Sequence, residues 1–311
     1  MTWKLIPILL TLALAAGCAG TGPRPAHPGE SFDRSVDTTF QGQRRSYRMY
    51  VPSRPPAGAL PVVVVLHGAF STARTIEQHS GFSALADEEK FVVVYPNGIG
   101  LFGMLQHWNA GHCCGKALAD DIDDVGFVLR VVEDASRHWP IDPDRVYLTG
   151  FSNGAMLAHR IAAEAPQRFA AVAPVAGPPA GRSGQLEQWW QIPTPEVPLP
   201  VLMLHGRADR TVPWEGRITG NLRFAPTLYA ARVWAENGGC ARQPERRRER
   251  DGRIEILTFT DCAADTEVEL QILEGWGHRW PAPFHTARLQ DDDPLKDFDA
   301  SRAIWSFFER H

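Results

Sequence analysis

The sequence lacks a dominant charge of one sign. Its 311 residues carry 32 Lys and Arg against 36 Asp and Glu, a formal net charge of −4. That leaves no field to draw a nucleic acid, so none is expected as a partner. No internal repeat period is visible, and nothing at mid-chain reads as a linker between two domains. The apolar run at 5–16 falls short of the ~20 residues that cross a bilayer. Cysteine is scarce, with five in all. Cys113 and Cys114 are adjacent and lack the spacer usual between paired thiolate ligands, so with His107 and His112 nearby no metal is expected. Gly98-x-Gly100-x-x-Gly103 formally matches a dinucleotide fingerprint, but no helical period follows it. A helix must begin inside that motif to meet the pyrophosphate, so no nucleotide and no organic cofactor is expected.

What is present begins with an N-terminus that does not belong to the fold. Lys4 precedes the apolar run, and the two together have the shape of a secretory signal over residues 1–17. The run ends in Leu14-Ala15-Ala16-Gly17-Cys18, which resembles the lipobox of bacterial lipoproteins. That resemblance implies Cys18 as a lipidated mature N-terminus; cleavage near Ala13-x-Ala15 without lipid is the alternative. Residues 18–35, rich in Pro and Gly, are expected to be a flexible linker, with the folded domain over 36–311. The protein is therefore expected outside the cytoplasm, periplasmic or extracellular, touching a membrane only through its lipid. Export favours disulfides. Cys240 and Cys262 flank the strand-like run 254–260 and are the expected pair. Neighbouring Cα atoms lie about 3.8 Å apart, below the usual disulfide separation of about 4.4 Å or more. Four cysteines allow three pairings, and the sequence leaves them open.

Short runs apolar on both faces occur at 62–66, 91–95, 146–149, 171–175 and 201–204. Such runs are strands of a buried parallel sheet. An early strand, half of a hairpin, is expected at 47–51, and a late one with a wetter face at 268–272. Helical periodicity lies between the strands at 76–85, 125–139, 156–165 and 228–234, and closes the chain at 301–310. The alternation argues for an α/β fold, a mostly parallel sheet covered by helices on both faces. The charged stretch 242–253 mixes signs and reads as a solvated turn. Residues 177–200, Pro-rich with Trp189 and Trp190, are expected to form a partial lid.

Gly150-Phe151-Ser152-Asn153-Gly154 matches G-x-S-x-G with a strand entering and an apolar-periodic helix leaving. In that setting the turn is so tight that glycine is needed on either side, and the serine hydroxyl stands above the sheet. A serine needs a base, and the base an orienting acid. The expected chain order is Ser, then acid, then His. Asp209 follows the strand at 201–204, with Glu215 as the substitute acid. His278 lies in a Gly-rich turn beyond the last strand. The backbone N–H of Asn153 is expected to face the oxyanion, joined by that of Ala69 in the loop after an early strand, with Phe70 as the alternative donor. His67 is expected to be structural. Trp108, Trp276 and Trp280 are candidates to line the substrate pocket.

Leu66-His67-Gly68, Trp108-Asn109-Ala110-Gly111, Cys113-Cys114-Gly115 and Asp123-Asp124-Val125-Gly126-Phe127 join the serine motif. His205-Gly206-x-x-Asp209 and Gly277-His278-x-Trp280-Pro281 follow it. Together they resemble the polyhydroxybutyrate depolymerase/LpqC-type esterases, relatives of feruloyl and acetylxylan esterases. The resemblance runs from about Arg44 to Arg310. It implies the α/β-hydrolase fold, an exported serine esterase, and triad roles for Ser152, Asp209 and His278. Ala69-Phe70 stands where the family is more Gly-rich, and Ala282 where glycine is usual. Asp123 and Asp124 are expected to be helix N-cap residues. The expected substrate is a small or oligomeric ester. A serine peptidase and a non-catalytic lipoprotein are the rival readings.

Overall fold

The computed structural model of the protein describes residues 28–40, 42–101, 103–216, 218–219 and 222–311. The expected signal segment and Cys18 lie outside the described residues. One sheet is built from ten strands: β1 (Ser31–Phe40), β2 (Gln43–Tyr50), β3 (Leu60–Leu66), β4 (Val92–Pro96), β5 (Ile141–Phe151), β6 (Ala171–Val175), β7 (Val201–Gly206), β8 (Glu245–Glu249), β9 (Ile254–Phe259) and β10 (Val268–Leu273). Their order across the sheet is β1-β2-β4-β3-β5-β6-β7-β10-β9-β8. The inner strands from β4 to β10 run parallel. Antiparallel pairs finish both edges.

The unbroken valine run of β3 follows from this placement. Val62, Val64 and Leu66 point into one apolar cluster, and Val63 and Val65 into another on the opposite face. A strand covered on both sides needs no polar alternation. Helices α1 (Ala73–Ser80), α2 (Phe82–Glu89), α3 (Asp124–His138), α4 (Asn153–Glu164), α5 (Thr227–Asn237) and α6 (Ala300–Phe308) supply the covers. Val128, Leu157 and Trp234 carry α3, α4 and α5 onto the first cluster. Ile76, Phe82 and Trp305 carry α1, α2 and α6 onto the second.

Several expectations change here. The helix expected at 76–85 is two helices, broken at Gly81, whose φ of 72° ends α1. The charged stretch at 242–253 contains a strand, β8, exposed along its length on the sheet edge. A row of charges on an edge strand discourages pairing with another chain. Strand β10 has no wet face: Glu269 and Gln271 are buried, and Arg247 of β8 lies 3.6 Å from Glu269. Strand β1 starts at Ser31, inside the stretch expected to be linker, and pairs there with Tyr50. Asp123 does cap α3, accepting from the N–H of Gly126 at 2.8 Å. Asp124 does not cap; it forms a buried ion pair with Arg45 at 2.7 Å. The segment 177–200 supplies the strands Ala180–Arg182 and Trp190–Gln191. They join Ile218–Thr219 and Leu222–Phe224 in a small antiparallel sheet.

Cys240 and Cys262 are bonded through their sulfurs, and Cys113 is bonded to Cys114. Among the described residues no helix is long and apolar enough to cross a membrane.

Candidate active site

The chemistry-bearing residues gather beyond the C-terminal ends of β5, β7 and β10. Strand β5 ends at Phe151, and the chain turns at once into α4. Ser152 makes that turn with φ 55° and ψ −119°, a left-handed conformation costly for any residue but glycine. The neighbours show why glycine flanks it. A Cβ on Gly150 would sit 2.6 Å from the backbone of Gly154, and one on Gly154 would sit 2.5 Å from the carbonyl oxygens of Leu66 and His67. Strand end, helix start and β3 loop touch through bare backbone.

Asp209 lies beyond β7. Its Oδ1 accepts from the N–H groups of Thr211 and Val212, both at 2.8 Å, which fixes the carboxylate. His278 lies beyond β10, its Nδ1 2.6 Å from Asp209 Oδ2 and its Nε2 2.9 Å from Ser152 Oγ. An ionised carboxylate only accepts, so Nδ1 carries the proton and Nε2 is left to accept from the serine. Burial pushes the Asp209 carboxyl up, but the hydrogen bond and charge of His278 and the Val212 N–H outweigh it. The carboxyl is held below its ordinary value. Glu215, the substitute acid, is exposed. The imidazole bridges hydroxyl and carboxylate.

Of the two oxyanion candidates in the β3 loop, Phe70 is already spent. Its N–H donates to the carbonyl of Gln106 at 2.8 Å, while Ala69 lines the cavity beside Ser152 and Asn153. His67 is fully buried between backbone groups. The N–H of Gly98 donates to its Nε2 at 3.0 Å, so Nδ1–H donates to the Gly68 carbonyl at 2.7 Å. Burial pushes its pKa down to about 4, which keeps it neutral.

Trp108 does not line the pocket. It is fully buried behind it, with its indole N–H donating to the His67 carbonyl at 2.8 Å. Its backbone is gripped by the Asn153 side chain: Trp108 N–H donates to Oδ1 at 2.8 Å, and Nδ2 donates to the Trp108 carbonyl at 3.1 Å. Trp108 thus ties the Gly68–Ala69 loop to the start of α4. Trp276 is also absent from the cavity wall, its indole turned to the Arg279 carbonyl at 2.8 Å. Trp280 alone of the three reaches the cavity.

That cavity has a volume of about 600 Å³ and contains Ser152 and His278 in its wall. Met156, Val212, Leu222 and Phe224 make one side apolar, and the bonded Cys113 and Cys114 share the wall. Met156, one helical turn after Ser152, was open to inference from spacing. Leu222 and Phe224 carried no signal, since a separate small sheet delivers them. From the segment 177–200 come Ser183 and Gln185. Among the described residues no cluster of His, Cys, Asp and Glu could hold a metal ion.

Residues 45–183 match the sequence profile of the family described as Esterase PHB depolymerase. NocK of Nocardia uniformis subsp. tsuyamanensis, a protein assigned as an esterase, is 32% identical over 286 residues, which is 83% of this chain and 76% of the relative. The chain belongs to the PHB depolymerase family of esterases. Another family relative, poly(3-hydroxyalkanoate) depolymerase C of Paucimonas lemoignei, is 39% identical over 136 residues. That match covers 42% of this chain and 30% of the relative, so the chain spans under a third of that protein's length. Among solved structures, an acetyl xylan esterase from Aspergillus awamori superposes with a TM-score of 0.59 at 17% identity, covering 81% of this chain and 94% of that one. An S-formylglutathione hydrolase from Agrobacterium tumefaciens gives 0.58 at 14%, covering 93% and 98%. The fold is the α/β-hydrolase fold.

Proposed function

We propose that the protein is an exported serine esterase that cleaves carboxylic esters through an acyl-enzyme on Ser152. The observation that carries the reading is the 2.9 Å contact between Ser152 Oγ and His278 Nε2, in an imidazole already held by Asp209. His278 takes the hydroxyl proton as Oγ attacks the ester carbonyl carbon. The N–H groups of Asn153 and Ala69 bind the oxyanion. Its collapse breaks the bond to the alkoxide, which leaves with the proton from His278. Water then attacks the acyl-serine, gives its proton to His278, and the acid departs as Oγ regains that proton.

The substrate is proposed to be a hydroxyalkanoate ester, small or oligomeric, by analogy with the depolymerase relatives; feruloyl and acetylxylan esters are the alternatives. Export, lipidation of Cys18 and a partial-lid role for 177–200 belong to the same proposal. The test measures kcat/KM in parallel on 3-hydroxybutyrate oligomers, methyl ferulate, acetylated xylan, p-nitrophenyl esters and matched amides. Ester cleavage with hydroxybutyrate oligomers foremost is the expected result. Amide turnover rivalling ester turnover would make the protein a peptidase instead.

A further inference from the structure

Among the described residues no Asp or Glu lines the cavity around Ser152, although the protein as a whole is net acidic. Its one charged lining residue among the described residues is Arg279, and four histidines share the wall: His79, His107, His278 and His285. Three of the histidines lie along one connected stretch of the wall. His278 packs on Phe151 with ring centroids 4.8 Å apart, and Phe151 leads to Trp280 at 6.4 Å. Beyond Trp280, His285 donates from Nδ1 to the Trp280 carbonyl at 2.9 Å and lies 5.1 Å from the His79 ring. Its Nε2 is thereby left as an acceptor, so His285 shapes the wall and offers a carboxylate no hydrogen bond of its own. Arg279 lies 4.7 Å over the Trp276 ring, and Arg288 5.1 Å from the Phe284 ring that stacks on His79. Neither arginine forms an ion pair among the described residues. Burial lowers His79 and His285, and neighbouring cations lower both further, Arg288 acting on His79 and His79 and the two arginines on His285.

We infer that this stretch of the cavity is a carboxylate subsite, so that the preferred substrates are esters bearing a free carboxylate, such as hydroxy-acid oligomers with an ionised terminus. The inference rests on the esterase reading above and narrows it. Low-dielectric walls focus the field of unpaired cations. A carboxylate there gains charge-assisted hydrogen bonds from a guanidinium that no protein anion has claimed. Neutral acetyl and feruloyl esters gain nothing from it.

The test compares a 3-hydroxybutyrate trimer as free acid with its methyl ester at pH 8, scoring cleavage of the internal esters by chromatography. Wild type is expected to favour the acid about tenfold in kcat/KM, the scale of one charge-assisted contact. Arg279→Gln is expected to bring that ratio near one, Arg288→Gln to reduce it in part, and high salt to shrink it. Using the ratio cancels any general damage to the neighbouring His278. Equal use of acid and methyl ester by wild type, or an unchanged ratio in Arg279→Gln, overturns the subsite. Calorimetry of both compounds on Ser152→Ala tests binding without turnover. Tenfold tighter binding of the acid supports the subsite even if neither compound is cleaved, and equal binding overturns it. Internal ester cleavage retained by Ser152→Ala is the distinct result that breaks the esterase reading instead.

Discussion

Trp108 shows how a residue can govern chemistry it never touches. Its indole holds the carbonyl that precedes the Gly68–Ala69 turn, and its backbone is held by the side chain of Asn153. Both proposed oxyanion donors therefore depend on one buried residue, Ala69 through its ring and Asn153 through its backbone. Trp108→Phe keeps an aromatic ring at the site and removes the indole N–H together with part of the buried ring system. Displacement of catalytic groups by about 1 Å costs up to about 100-fold in rate, so kcat is expected to fall roughly 10- to 100-fold, with KM within about a factor of two. Steady-state kinetics on a p-nitrophenyl ester check this; an unchanged kcat contradicts it. At this scale Ser152, Asp209 and His278 were legible because strand-end position and chain order single them out. Trp108 and Trp276 were not. Closeness in sequence to a motif does not say which way an indole points, and both turn into the protein.

The elements explain why the serine motif is so exacting. Helix α4 starts against the loop after β3 with no side chain between them, so Gly154→Ala forces two carbonyls away from the site. Overpacking of this kind costs about 1–3 kcal/mol. The variant is expected to lose that much stability and most of its activity, read by urea unfolding and ester assay. Near-normal values for both would contradict the packing account. The buried cores of inner strands β3 to β7 were legible from composition, since burial on both faces selects mostly apolar residues, whereas the more exposed start of β5 at Asp142 to Arg145 was not. Edges carry no such constraint. Strand β8 is five exposed residues, Glu245 to Glu249, whose partner β9 makes it a strand, and only tertiary pairing reveals that. The break between α1 and α2 depends on one glycine adopting φ 72°, which the apolar period ran straight across.

For the whole molecule, the buried histidines set an acid limit. Burial pushes His67 down to about 4, and His112 and His159 to about 3. His159 accepts from the Trp234 indole at Nδ1 (2.9 Å), which protonation would forbid. Unfolded, each takes up a proton below about pH 6.5, while the folded protein does not until far lower. Stability is thus full above about pH 6.5 and falls as the pH drops from there toward 4 or 3, by about 1.4 kcal/mol per pH unit for each histidine. Urea unfolding at pH 7, 6 and 5 checks this. A transition midpoint constant across that range would contradict it.

The central claim is that Ser152 is the nucleophile. It is tested most directly by treating the protein with a fluorophosphonate and mapping the adduct by peptide mass spectrometry. One adduct per chain on Ser152, with labelling and ester turnover both lost in Ser152→Ala, is the expected result. Labelling or turnover that survives Ser152→Ala would contradict the claim.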